Sequence, residues 1–163
     1  MANLRLKPSW IIFPKVFIEA NPDHDPELPT KDFQIEIGSD FVQNEDHSLH
    51  ATIFVSNDDF VENNALYSLD IHVYSSFQCS KSILKLQKKI ATEICLDIAH
   101  LLLGSVREIV ATITSRGPWG PYVLPFVSAE DLAESLMEDL VNHKKEDSDS
   151  DSDSDSLTQK AST

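Results

Sequence analysis

The sequence predicts an α+β fold: a four-stranded antiparallel sheet followed by a long helix, broken or kinked near Gly104, and a shorter C-terminal helix. Three observations carry that expectation. Polar and apolar residues alternate in the first half, most clearly at Tyr67, Leu69, Ile71 and Val73 against Ser68, Asp70, His72 and Tyr74, the period of a half-buried strand. From residue 82 to 116 apolar residues recur at helical spacing instead, through Ile83, Leu86, Ile90, Ile94, Ile98, Leu101, Leu102, Ile109 and Ile113. A proline- and glycine-marked connection at 117–127 then separates this run from a last amphipathic segment.

The elements follow in order. Residues 11–19 are apolar and extended, with Pro14 at a bulge or an edge position. Residues 21–29 hold three prolines among polar residues and must be a loop. Phe33, Ile35 and Ile37 alternate with Gln34, Glu36 and Gly38 as a second strand, and residues 50–56 form a third, rich in β-branched and aromatic side chains. Turn residues at 57–59 and 63–64 lead to the fourth strand, so the economical arrangement is a meander. Within the helical run, Gly104-Ser105 is the expected break, since glycine inside a helix costs ~1 kcal/mol against alanine. Gly117 is expected to end the helix in the left-handed conformation. Ser128, with Asp131 three residues on, reads as the cap of a last helix running to about His143. The Asp-Ser repeats from 147 to 156 cannot bury enough surface to offset their ordering entropy and are expected to be disordered. The division is therefore one domain over 1–143 and an acidic tail over 144–163.

The 163 residues suit one domain with a real core, and 41% hydrophobic content is ordinary for a globular chain. Net charge is −14, and residues 1–145 alone carry −9. Such a field repels phosphate backbones and anionic headgroups and favours basic partners, so nucleic acid is not expected as a partner. The apolar run Trp10-Ile11-Ile12-Phe13 stops at Pro14, and nothing approaches the ~20 apolar residues a spanning helix needs, so no direct membrane insertion is expected. Cys79 and Cys95 have neither metal nor redox spacing, which fits a reducing, cytoplasmic setting.

No persuasive active site is legible, no cofactor is implied, and the chain is not expected to be an enzyme. Ser68, Asp70 and His72 share a strand face, but successive outward residues stand ~6.5–7 Å apart, too far for a triad. His47, His50 and Asp46 lack further metal ligands nearby. His100 reads as a core or interface histidine and Cys95 as a structural thiol. Lys81, Lys85, Lys88 and Lys89 fall on one side of a helix as a solvated basic face. The connection at 117–127 is unusually apolar, with Trp119, Tyr122, Val123, Leu124 and Phe126. Either it packs onto the sheet as core, or it forms one wall of an apolar groove whose stiffness limits the entropy lost on binding.

The motifs of residues 107–132 resemble the SecB protein-export chaperones. They are Arg107-Glu108, a helix of small and apolar residues, Ser115-Arg116-Gly117, Trp119, Pro121, alternating Tyr122, Leu124 and Val127, then Ser128 and Leu132. Upstream the likeness is one of order, with Glu19-Ala20 and Pro22 closing the first strand. The resemblance implies an ATP-independent holdase that keeps unfolded preproteins fit for export, assembled as a homotetramer of paired dimers. It implies a peptide groove at Phe17, Ile35, Ile37, Trp119, Tyr122, Leu124 and Phe126, and docking of the SecA translocation ATPase at Glu19 and Asp70. Val16, Gly104-Ser105 and Ser75-Ser76 depart from the family pattern and suit a divergent branch, such as a dedicated chaperone of an antitoxin. The alternative of a different class is an acidic interaction or inhibitor protein that occupies a basic partner.

Overall fold

In a computed structural model the described residues are 6–29, 35–57, 62–125 and 127–152, with side chains through 144. Four strands, β1 (Lys7–Ala20), β2 (Ile35–Gln43), β3 (Ser48–Asn57) and β4 (Tyr67–Gln78), precede two helices, α1 (Lys88–Thr114) and α2 (Ala129–Ser152). The α+β architecture is that expected. Phe33 lies outside the described residues, and β2 begins at Ile35.

The sheet is antiparallel throughout but its order is β1-β4-β3-β2, so it is not a simple meander. Strands β2, β3 and β4 follow one another as hairpins, while β1 returns beside β4, a Greek-key arrangement. The reason lies in the loop after β1. Asn21 is fully buried; its amide donates to Leu66 O at 2.9 Å and its side chain to Ala65 O at 2.9 Å. Asn64, in the left-handed conformation at φ 53°, donates to Asp25 O and Leu28 O and accepts from the Asp25 amide. These bonds tie the exit of β1 to the entry of β4. Between Ile12 and Lys15 the pairing with β4 slips, placing a bulge around Pro14 as the proline requires.

One sheet face carries the core. Leu49, Ala51, Ile53 and Val55 of β3 and Leu69, Ile71, Val73 and Phe77 of β4 are buried against Ile94, Cys95, Ile98, Leu102, Val106 and Val110 of α1 and Leu132, Leu136 and Leu140 of α2. Their spacing on α1 is the i, i+3, i+4 stripe of a core-facing helix.

Three sequence expectations are corrected or narrowed here. Helix α1 runs unbroken through Gly104, because the residues around it, Leu102, Leu103 and Val106, are buried in the core and hold the helix on both sides of the glycine. The basic residues do not share one helix: a short 3-10 turn at Ile83–Lys85 precedes α1, so Lys81 and Lys85 stand apart from Lys88 and Lys89. His100 is exposed, which removes the core from its two expected settings and leaves the interface. Helix α2 starts as expected, with the Asp131 amide donating to Ser128 Oγ at 3.1 Å, and extends to Ser152, into the Asp-Ser repeats.

Candidate functional site

The crossover at residues 115–128 closes on the core over much of its length. The Tyr122 amide donates to Thr114 Oγ1 at 2.8 Å, and the Tyr122 ring lies 6.0 Å from that of Tyr67. Tyr122 and Leu124 are buried, and burial pushes the Tyr122 phenol up to about 12. Trp119 is half-buried; its indole N–H donates to Asn21 O at 3.0 Å and its ring meets His24 edge-on at 4.9 Å. Pro121, Val123 and Pro125 face outward. The crossover is thus a strap across the end of the sheet, with Trp119 clamped to the exit of β1.

The expected groove residues are not brought into one groove. Ile35 and Ile37 are half-buried on the core face of β2. Tyr122 and Leu124 point into that same core. Phe17 projects from the opposite face, where it pairs across to Asp70. Phe126 lies outside the described residues. Sheet geometry explains the separation: successive residues alternate faces, so Phe17 cannot share a wall with inward positions of β2.

The open apolar surface lies elsewhere, along β1. Helix α1 leaves the inward positions Ile11, Phe13 and Ile18 only half covered. Ile11 and Phe13, with Ser105, Glu108, Ile109 and Thr112 of α1, line a furrow of about 330 Å³. Further apolar side chains are exposed on the same two elements: Val16 is 37% exposed on β1, and Leu101 and Ile113 of α1 are 39% and 42% exposed. A second cleft, about 440 Å³, lies between Lys88 at the start of α1 and Met137, Glu138, Val141 and Asn142 of α2. Sequence periodicity missed the furrow because Ile11, Phe13 and Ile109 read as ordinary core positions. The available signal was the excess of apolar positions on β1, which shows them on both faces.

The outer face of the sheet is polar and aromatic. Trp10, His50 and Tyr74 form a cluster, with Trp10 to Tyr74 at 5.0 Å and His50 to Tyr74 at 5.9 Å between ring centres. Asp70 accepts from the Lys15 ammonium and lies 3.1 Å from His72 Nε2. The Lys15 bond foremost holds the Asp70 carboxyl below its usual range. Asp70 and His72 therefore touch, but Asp70 is already engaged by a lysine, and Ser68 stands a further pleat away. Glu19 pairs across to Ser68 on this same face, so the expected docking residues Glu19 and Asp70 do share a surface. Asp46 is likewise held low, by its hydrogen bonds from Ser48.

Cys79 and Cys95 are buried free thiols, and burial pushes Cys95 up to about 12. Among the described residues no three His, Cys, Asp or Glu side chains converge to hold a metal ion, and no helix is long and apolar enough to cross a membrane.

No family model and no curated protein matches the chain. Among solved structures, it is similar to a Streptococcus agalactiae protein of unknown function, with a TM-score of 0.53 at 12% identity over 77% of this chain and 100% of that one. Another similar structure is the Mycobacterium tuberculosis Rv1957 SecB-like chaperone in complex with a ChAD peptide from the Rv1956 HigA1 antitoxin, with a TM-score of 0.49 at 13% identity over 76% of this chain and 88% of that one. The Streptococcus likeness is one of fold alone.

Proposed function

We propose that this chain is a cytoplasmic, ATP-independent holdase chaperone that keeps non-native polypeptides from aggregating. The observation that carries the reading is the uncovered apolar margin of β1: the furrow at Ile11 and Phe13, with Val16 on the same side and Trp10, Ile12 and Phe17 exposed on the other. A monomer in water gains nothing from such a strip, and each partly exposed side chain has about 1 kcal/mol left to gain from a guest. Many weak apolar contacts suit a client without fixed structure, and several copies in one assembly multiply them through effective concentration. The acidic body keeps such a particle from self-aggregation. The SecB-like motifs at 107–132 agree with this reading.

On this proposal the stripe of α1 around Leu101, Gly104 and Ile113 pairs copies into a homotetramer, while β1 receives the client. Preproteins bound for export are the client class the resemblance suggests, with SecA as a further partner. A dedicated client such as an antitoxin is favoured by one observation. Val16 stands where the family usually has an acid, and it extends the apolar margin.

The test is dilution of a chemically denatured client with light scattering, without nucleotide. Wild type is expected to suppress aggregation, the double variant Val16→Asp, Phe17→Asp to lose most of that effect, and Val123→Asp on the strap to retain it. The proposal fails if wild type gives no protection, or if the folded double variant protects equally well. Preferential capture of one client over unrelated denatured proteins would favour the dedicated reading.

A further inference from the structure

The outward side chains form an ordered grid, of which the holdase reading uses only the β1 edge. Pairing across all four strands places them in rows: Trp10, Ser76, His50 and Val42; then Ile12, Tyr74, Thr52 and Asp40; then Lys15, His72, Phe54 and Gly38; then Phe17, Asp70, Ser56 and Glu36. The charges are unevenly placed on it. On the β1–β4 side Asp70 is met by Lys15 and His72. On the β2 side no lysine or arginine stands in the rows of Glu36 and Asp40. Glu36 is exposed, and Asp40 remains 52% exposed despite a 2.7 Å contact with His143 Nε2.

Between these two carboxylates lies Gly38. Lacking a side chain, it leaves the Phe54 ring uncovered: a Cβ there would sit 3.5 Å from Phe54 Cδ2. Phe54 is itself exposed, and its ring meets His72 edge-on at 4.8 Å. Beside Asp40 a depression of about 290 Å³ is lined by Val42, Asn44, His50, Thr52 and Tyr74 as well as Asp40. It offers a carboxylate, an aromatic wall and side-chain oxygens, the groups that suit a guanidinium or ammonium. Glu36 and Asp40 are four residues apart on one strand face, about 13 Å.

We propose that the β2–β3 half of the outer sheet face is a docking site for an extended basic peptide with cationic side chains at positions i and i+4 and an apolar side chain at i+2. The spacing follows from strand geometry, because i, i+2 and i+4 of an extended peptide lie on one face at the same repeat as Glu36, Gly38 and Asp40. One cation reaches the depression at Asp40, the other reaches Glu36, and the residue between them covers Phe54 over Gly38. Charge complementarity selects the occupant, since the body carries −9 over residues 1–145. This surface is on the opposite side of the sheet from the furrow at Ile11 and Phe13, and its test does not depend on holdase activity.

The experiment is calorimetric titration of the full chain with synthetic unstructured peptides of equal composition, carrying arginines at i and i+4 around a leucine at i+2, or at i and i+3. The first peptide is expected to bind about threefold more tightly, because the i and i+3 peptide keeps one of the two exposed ion pairs and a single such pair is worth roughly that factor. Glu36→Gln and Asp40→Asn should each weaken it about threefold, and Gly38→Val, which fills the notch, should remove the preference. Asp97→Asn, which removes an exposed carboxylate of α1 on the other side of the sheet, should leave the affinity unchanged. Equal affinities for the two peptides would reduce the effect to unspecific charge attraction and overturn the site. So would affinities insensitive to Glu36→Gln and Asp40→Asn. Protection of the 36–42 amides from exchange that grows with protein concentration alone would assign the face to a second copy and also overturn it.

Discussion

Gly117 and Gly120 show how one residue type serves two physical ends a few positions apart. Gly120, rather than the expected Gly117, takes the left-handed conformation, at φ 76°. Gly117 is needed for space instead: a Cβ there would lie 2.5 Å from Tyr67 Oη and 3.2 Å from Thr114 O. The same Tyr67 hydroxyl donates to Gly120 O at 2.9 Å and accepts from the Trp119 amide at 3.3 Å, so it cannot retreat without loosening the strap. Gly117→Ala is therefore expected to destabilise the chain by ~1–3 kcal/mol, measured by urea denaturation. Buried Asn57 is the comparable case among polar residues. Its Nδ2 donates to Tyr67 O at 2.9 Å and its Oδ1 accepts from the Leu69 amide at 2.6 Å. Asn57→Ala leaves both buried backbone groups without that partner and should cost ~2–4 kcal/mol in the same measurement. Neither role was legible in the sequence, where Asn57 read only as turn chemistry, because what fixes it is a strand that arrives from the far side of a turn.

Among the elements, α1 was legible in its extent but not in its continuity. Gly104 signals a break by propensity alone, yet a helix of 27 residues with one face in the core tolerates a local cost of ~1 kcal/mol. Gly104 sits on the exposed side between Leu101 and Glu108, where a Cβ would meet nothing. Gly104→Ala is accordingly expected to raise the stability of the isolated chain by ~0.5–1 kcal/mol, the reverse of Gly117→Ala. Thermal unfolding at low protein concentration checks the sign. If the α1 stripe pairs copies by close backbone approach, the same substitution should weaken the assembly in size-exclusion with light scattering. The two readouts then separate helix propensity from packing between copies. Strand β1 gives the complementary lesson. Its apolar excess was visible, but which of its faces the helices would leave open depended on α2 packing over β2 rather than β1.

At the scale of the whole molecule, the strands were legible, β2 and β4 from alternation and β1 and β3 from apolar or β-branched content, whereas their order was not. The Greek-key return depends on Asn21 and Asn64 bonding across a long sequence separation, and such contacts leave no periodicity. The expected groove residues are divided for the same reason, since Phe17 lies on the outer face while Ile35, Ile37, Tyr122 and Leu124 lie on the core face. Topology also sets how the molecule should respond to acid. Asp139 of α2 accepts from Ser39 Oγ of β2 at 2.7 Å, and burial in that contact raises its carboxyl above the usual 3.8. Asp70 and Asp46 are held below that value, by Lys15 and Ser48. For Asp139 the ionised form is the disfavoured one in the fold, so its penalty is fully present at neutral pH and is relieved as pH falls through its raised value towards 3.8. For Asp70 and Asp46 the contribution is present above 3.8 and is lost as pH falls through their depressed values. Acidification should therefore relieve a strain at the α2–β2 contact before it removes support from the outer face. Urea midpoints between pH 7 and pH 3 test this order in two variants. Asp139→Asn is expected to leave stability equal or higher at pH 7, with any gain vanishing below 3.8, whereas Asp70→Asn should lower it at pH 7 and flatten the acid limb. A loss in Asp139→Asn that is the same size at both ends of the range would mean that the Ser39 hydrogen bond, rather than burial of the charge, governs how α2 holds the edge of the sheet.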